Sequence, residues 1–122
     1  AVPQEFGVWG RPAWIAARIL GFALVTPLIE EMAFRSYLTR RLTAADWEAV
    51  PFARTSWTAL VGSSLLFGVL HGSWLRAACA GALYGLVLRR TGRVADAVVA
   101  HATTNLVVVA YAFWLEDWSL LG

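Results

Sequence analysis

The sequence is poor in charged residues and contains no lysine. Charged residues make up 15% of the 122 residues, against about 25% in soluble globular proteins. Hydrophobic residues make up 59%, and the mean hydropathy is +0.61. A soluble domain of this size needs many polar side chains to cover its surface. The composition therefore excludes an ordinary soluble domain and predicts that lipid covers much of this surface.

Cysteine is nearly absent, because Cys79 is the only one. A single cysteine excludes an intrachain disulfide. Its neighbours Ala77, Ala78 and Ala80 are small and apolar, which favours close contact between helices in lipid. We therefore predict that Cys79 packs against another helix.

Most of the hydrophobic residues fall in four long apolar stretches. Because they are rich in Ala and Leu and too long for strands, they predict an all-α transmembrane bundle with about four membrane helices. The first and fourth reach the roughly 17–25 residues that a bilayer span needs, whereas the second and third are marginal. Pro27 is expected to kink the first helix. The stretches cover residues 14–38, 57–70, 74–88 and 94–115.

The ten arginines form short clusters between apolar stretches rather than one basic face. A nucleic-acid partner is therefore not expected. By the positive-inside rule, the Arg-rich loops 40–56 and 89–93 are predicted to be cytoplasmic. The chain begins with Ala1 rather than Met. We expect a single core domain, about residues 14–115, that belongs to a longer protein.

Ionisable residues inside apolar helices are functional candidates. Glu31 and Arg35 are four residues apart, so they share a helix face and are predicted to pair. Glu30 points about 100° away and has no basic neighbour on its own helix. A carboxylate of that kind can act as a general base. The simpler interpretation is a structural ion pair with a second glutamate near an interface.

The chain has two histidines: His101 falls within the fourth apolar stretch, and His71 lies at the end of the second. His71 follows Phe67 by one helical turn, so the two rings can pack together; alone, such a histidine is more often an interfacial or capping residue. His101 and Asn105 are four residues apart and project from one helix face. They can donate hydrogen bonds to one point, or simply join helices.

Three short motifs together resemble a known family. E-E-x-x-x-R (Glu30 to Arg35), F-x-x-x-H (Phe67 to His71) and H-x-x-x-N (His101 to Asn105) resemble those of the CPBP family. That family contains CAAX proteases and bacteriocin-processing enzymes and is also called Abi. The segments around these motifs further resemble the CAAX-protease-like C-terminal domain of bacterial exosortase E/protease fusions.

The resemblance implies a role for each residue of an intramembrane endopeptidase. Glu30 and His71 would activate the attacking water, with Glu30 as general base. His101 and Asn105 would form the oxyanion hole, and the supporting residues would orient the site. No cofactor is expected. Zinc bound by Glu30, His71 and His101 is a minority alternative, because the H-E-x-x-H signature is missing. The supporting residues are Glu31, Arg35 and Phe67.

Two other classes of function stay open on sequence alone. The same fold can serve as a non-catalytic membrane module, such as a bacteriocin immunity protein or a scaffold. Buried Glu and His residues also occur in proton or solute pathways. If the chain is a protease, the resemblance implies membrane lipid and a peptide or protein substrate as partners. The substrate would carry a C-terminal CAAX-like or sorting tail, and the location would be the bacterial inner membrane.

Overall fold

The computed structural model describes residues 7–121, and the regular elements in this range are helical, with no strand. The all-α prediction is therefore confirmed. Four main helices follow one another along the chain, joined by short connections that include the 3₁₀ turns Trp47–Ala49 and Phe52–Arg54. They are α1 (Gly10–Thr43), α2 (Trp57–Val69), α3 (Trp74–Thr91) and α4 (Val94–Leu115).

Helix α1 is continuous but departs from α-helical winding twice. It is π-helical over Gly21–Val25 and again over Met32–Leu38, with an α-helical turn, Thr26–Glu31, between these segments. Pro27 has no N–H to donate to the carbonyl of Ala23, which disfavours regular α-helical bonding directly before it. The acidic pair therefore lies on a short α-helical turn next to π-helical segments, and such segments are frequent at functional sites.

Local sequence signals explain the ends of the next two helices. The Ser56 side chain caps the start of α2 by accepting a hydrogen bond from the Ala59 N–H at 3.1 Å, as Ser commonly does at this position. Helix α3 is capped at its C-terminus by Gly92, whose φ of +69° is left-handed. Its N–H donates to the Leu88 carbonyl at 2.8 Å. Glycine takes this conformation without a steric penalty.

The chain forms two compact units, of which the larger contains Leu28–His101. Its core includes the buried residues Tyr84, Leu88 and Ala97. Helices α2 and α3 pack very closely at Gly68, where an added Cβ would lie 2.5 Å from the Trp74 carbonyl oxygen. The short turn between these helices therefore depends on a residue without a side chain.

The smaller unit combines residues 7–27 with residues 102–121. Val109, Ala112 and Leu121 form its buried cluster. Beyond α4, the hydroxyl and backbone N–H of Ser119 donate to Asp117 and lower the pKa of that carboxyl.

Helices α1 and α4 are long and apolar enough to cross a membrane, and α2 is a shorter apolar helix. Large apolar side chains lie on the surface; Val69 is 72% exposed and Trp114 is 84% exposed. These helices and this apolar surface agree with the prediction of a membrane protein. The prediction for Cys79 is wrong, because its side chain is exposed, whereas the adjacent Ala78 is buried.

Candidate active site

Glu30 lies against both histidines in the larger unit. Its Oε1 is 3.6 Å from Nε2 of His71, and its Oε2 is 3.7 Å from Nε2 of His101. These distances exceed those of direct hydrogen bonds. The exposed fraction of these three side chains falls from 36% for His71 and 22% for Glu30 to 6% for His101. The carboxylate is therefore accessible from the His71 side and buried on the His101 side.

Hydrogen-bond partners indicate which nitrogen of each imidazole carries a hydrogen. Nδ1 of His71 lies 2.6 Å from the Phe67 carbonyl oxygen, which can only accept. Nδ1 of His71 is therefore the donor, and in the neutral ring Nε2 is an acceptor facing Glu30. Nδ1 of His101 lies 2.8 Å from Oε1 of Glu31, so this nitrogen donates to the carboxylate.

Glu31 is fully buried and joins His101 to Arg35. Its Oε2 lies 3.2 Å from Nε of Arg35, so the predicted ion pair is present. Nη2 of Arg35 donates to the Gly81 carbonyl at 2.7 Å. A Cβ at Gly81 would lie 2.9 Å from that nitrogen, so glycine gives the guanidinium its space. This network fixes the orientation of Glu31, which in turn holds one side of His101.

Aromatic rings surround the polar cluster, which consists of Glu30, Glu31, Arg35, His71 and His101. Phe67 packs against His71 with ring centroids 4.4 Å apart, as the sequence predicts, and it also contacts His101 edge-on at 5.9 Å. Arg35 lies 4.7 Å above the Phe67 ring. Tyr84 stacks on His101 at 4.5 Å with an interplanar angle of 14°. The roles of Tyr84 and Gly81 could not be predicted from sequence, because nothing in their local spacing points to residues on α1 or α4.

Asn105 belongs to the smaller unit, where its side chain already has a protein partner. Nδ2 donates to the Phe22 carbonyl at 2.7 Å and so links α4 to α1. This contact matches the helix-joining interpretation of Asn105. The oxyanion role that the motif implies stays a prediction.

The cluster combines a carboxylate with two imidazole nitrogens that face it, in a largely apolar setting. Such groups can bind water, remove its proton and return that proton to a leaving group. Within residues 7–121, no group of three or more His, Cys, Asp or Glu side chains is arranged to hold a metal ion. Independence from metal stays a prediction, which needs an experiment.

Comparison with known proteins agrees with the motifs. Residues 12–107 match the family model for Rce1-like type II CAAX prenyl endopeptidases, and this match spans well over half of the chain. No curated protein and no solved structure matches it. The match includes every residue of the cluster described above. The chain therefore belongs to the family of Rce1-like type II CAAX prenyl endopeptidases, a protease family.

Proposed function

We propose that this protein is an intramembrane endopeptidase that hydrolyses a peptide bond with water activated by Glu30. The observation that carries the proposal is the position of the Glu30 carboxylate, with Nε2 of His71 at 3.6 Å and Nε2 of His101 at 3.7 Å. Glu31 is committed to Arg35 and His101. Of the two adjacent glutamates, Glu30 is therefore the one suited to proton transfer.

In the proposed reaction, water donates one hydrogen bond to Glu30 and a second to the unprotonated Nε2 of His71. Glu30 takes a proton as the water oxygen attacks the peptide carbonyl carbon. The C–N bond then breaks, and Glu30 returns the proton to the departing amine. One water is consumed, and one new carboxyl and one new amino terminus are formed.

The oxyanion needs hydrogen-bond donors as negative charge develops. His101 can donate from Nε2 only as an imidazolium, because Nδ1–H is already directed at Glu31. The nearby Glu31 carboxylate provides a counter-charge for that form. We include Asn105 in the oxyanion hole only because it belongs to the H-x-x-x-N motif of the family.

The family description supports a C-terminal CAAX-like tail as the substrate, either prenylated or a related sorting tail. We place the protein in the bacterial inner membrane, with loops 40–56 and 89–93 on the cytoplasmic side. The arginine clusters support this orientation.

The decisive variant is Glu30→Gln, which keeps the size of the side chain and removes the base. We expect kcat to fall by about 10²–10⁴-fold, the usual contribution of a general base. The assay measures cleavage of a farnesylated CAAX peptide and of its unprenylated counterpart in detergent. Circular dichroism checks that the helices remain intact.

Glu48→Gln is the matched control, because Glu48 is exposed and its side chain lies outside the cluster. We expect it to retain the wild-type rate. A Glu30→Gln enzyme that also works at the wild-type rate would rule out the glutamate-base mechanism. A wild-type chain that cleaves neither peptide would favour the non-catalytic membrane module.

A further inference from the structure

Tyr84 is a buried aromatic residue of α3 that none of the family motifs includes. Its side chain is 4% exposed. Its ring lies almost parallel to the His101 imidazole, with centroids 4.5 Å apart and an interplanar angle of 14°. The Arg35 guanidinium carbon lies 5.5 Å from the Tyr84 ring centre. Tyr84 therefore contacts two members of the polar network through the faces of its ring.

Three neighbouring side chains restrict the rotation of the His101 imidazole. Glu31 holds Nδ1 at 2.8 Å, Tyr84 covers one face, and the edge-on Phe67 ring lies 5.9 Å away. Rotation about the Cβ–Cγ bond would break the Glu31 hydrogen bond and the parallel stack together. With Nδ1 fixed on Glu31, Nε2 is directed at Glu30.

We propose that Tyr84 is a positioning residue that holds the His101 imidazole with Nε2 directed at Glu30. The proposal for its effect on catalysis rests on the proposed peptidase function. The parallel stack keeps the imidazole plane fixed, because rotation of either ring would separate the two faces. The role that we propose belongs to the face of the ring, which phenylalanine also has. Phenylalanine should therefore replace Tyr84, whereas an aliphatic residue should not.

The catalytic test compares Tyr84→Phe with Tyr84→Leu. We expect Tyr84→Phe to keep the wild-type kcat and Tyr84→Leu to lower kcat by about tenfold, the upper end of the energy of one aromatic ring pair. KM should change little in both variants, because Tyr84 acts through His101 rather than on the substrate. Leu88→Ala is the control for lost packing, since Leu88 is fully buried in the same core cluster.

Imidazole NMR provides a second readout that does not depend on activity. The chain contains two histidines, and a His71→Gln sample assigns the remaining signals to His101. We expect Tyr84→Leu to remove the ring-current shift of the His101 carbon-bound protons and to broaden the Nδ1–H signal. Tyr84→Phe and Leu88→Ala should preserve both features.

The two readouts separate failure of this proposal from failure of the peptidase proposal. Unchanged His101 signals in Tyr84→Leu would overturn the positioning role. So would a loss of kcat in Tyr84→Phe equal to that in Tyr84→Leu, or a loss in Leu88→Ala as large as that in Tyr84→Leu. If the wild-type chain shows no cleavage but the NMR changes occur as expected, the positioning role stands and the peptidase proposal fails.

Discussion

Glu30 and Glu31 are adjacent in α1, but their side chains meet different partners. Glu30 is 22% exposed and faces Nε2 of both histidines without a direct hydrogen bond. Glu31 is fully buried between Nε of Arg35 and Nδ1 of His101. About 100° of rotation separates successive residues on a helix, so adjacent carboxylates can have separate tasks. In our proposal Glu30 moves the proton, and Glu31 orients the groups around it.

Removal of Glu31 is expected to reduce stability as well as activity. Glu31→Ala leaves the buried Arg35 charge without its carboxylate and His101 without its Nδ1 partner. Breaking a buried ion pair from one side costs about 3–5 kcal/mol, so the melting temperature in detergent should fall clearly.

The double variant Glu31→Ala with Arg35→Met is the control for that interpretation. It removes both charges, so it should melt at a higher temperature than Glu31→Ala alone. A Glu31→Ala protein with the wild-type melting temperature would show that the pair contributes no stability. Glu30→Gln should differ from Glu31→Ala by losing activity without a comparable loss of stability.

At the scale of elements, the turn between α2 and α3 places His71. Helix α2 ends at Val69, and the His71 N–H donates to the Gly68 carbonyl at 3.0 Å. The next helix passes directly over Gly68. His71 therefore reaches Glu30 from a tight turn, and its position depends on how closely these two helices approach.

Gly68→Ala is expected to disturb both packing and catalysis. The new Cβ would lie 2.5 Å from the Trp74 carbonyl oxygen and 2.7 Å from Cβ of Ala78, so α3 must shift. Overpacking of this kind costs about 1–3 kcal/mol, and the shift should move His71 and lower kcat. Thermal unfolding and peptide cleavage measure the two effects.

Gly62→Ala is the matched control on the same helix. Its Cβ would meet only Leu42 Cδ1, at 3.8 Å, and alanine favours a helix over glycine by up to about 1 kcal/mol. Gly62→Ala should therefore match or exceed the wild-type stability and retain activity. If Gly68→Ala behaved in the same way, the close approach would have no role in placing His71.

At the scale of the whole molecule, a small polar cluster lies within an integral membrane protein with a largely apolar surface. Charged and polar groups in such helices are costly unless neighbouring groups pair with them. The contacts among Glu30, Glu31, Arg35, His71 and His101 provide those neighbours within the larger unit. In our proposal, the contacts that offset the cost of these buried charges also prepare Glu30 for proton transfer.

Peptide cleavage is expected to survive removal of metal ions, because Glu30 itself activates the water in the proposed mechanism. The measurement is the initial rate with EDTA or phenanthroline and again after zinc is added back. The rate should stay within the error of the untreated enzyme throughout. Inactivation by both chelators, followed by recovery with zinc, would instead support zinc at Glu30, His71 and His101.

The sequence by itself determined where helices form and which ionisable residues are candidates for a functional site. The predicted second stretch, 57–70, became Trp57–Val69, and the fourth, 94–115, became Val94–Leu115. These bounds depend on local properties: the length of the apolar run in both helices and, for Trp57–Val69, the Ser56 that precedes it. The rarity of ionisable residues within the apolar stretches then singled out Glu30, Glu31, His71 and His101.

Only the tertiary structure decided how those residues pair. Glu31 and His101 are 70 positions apart, and no spacing rule links them. From the sequence, Tyr84 is one more residue of an apolar stretch, and Cys79 is predicted to pack against another helix. The stacking of Tyr84 on His101 and the exposure of Cys79 both depend on how each helix is rotated about its own axis. That rotation is set by packing against neighbouring helices, which a local pattern does not contain.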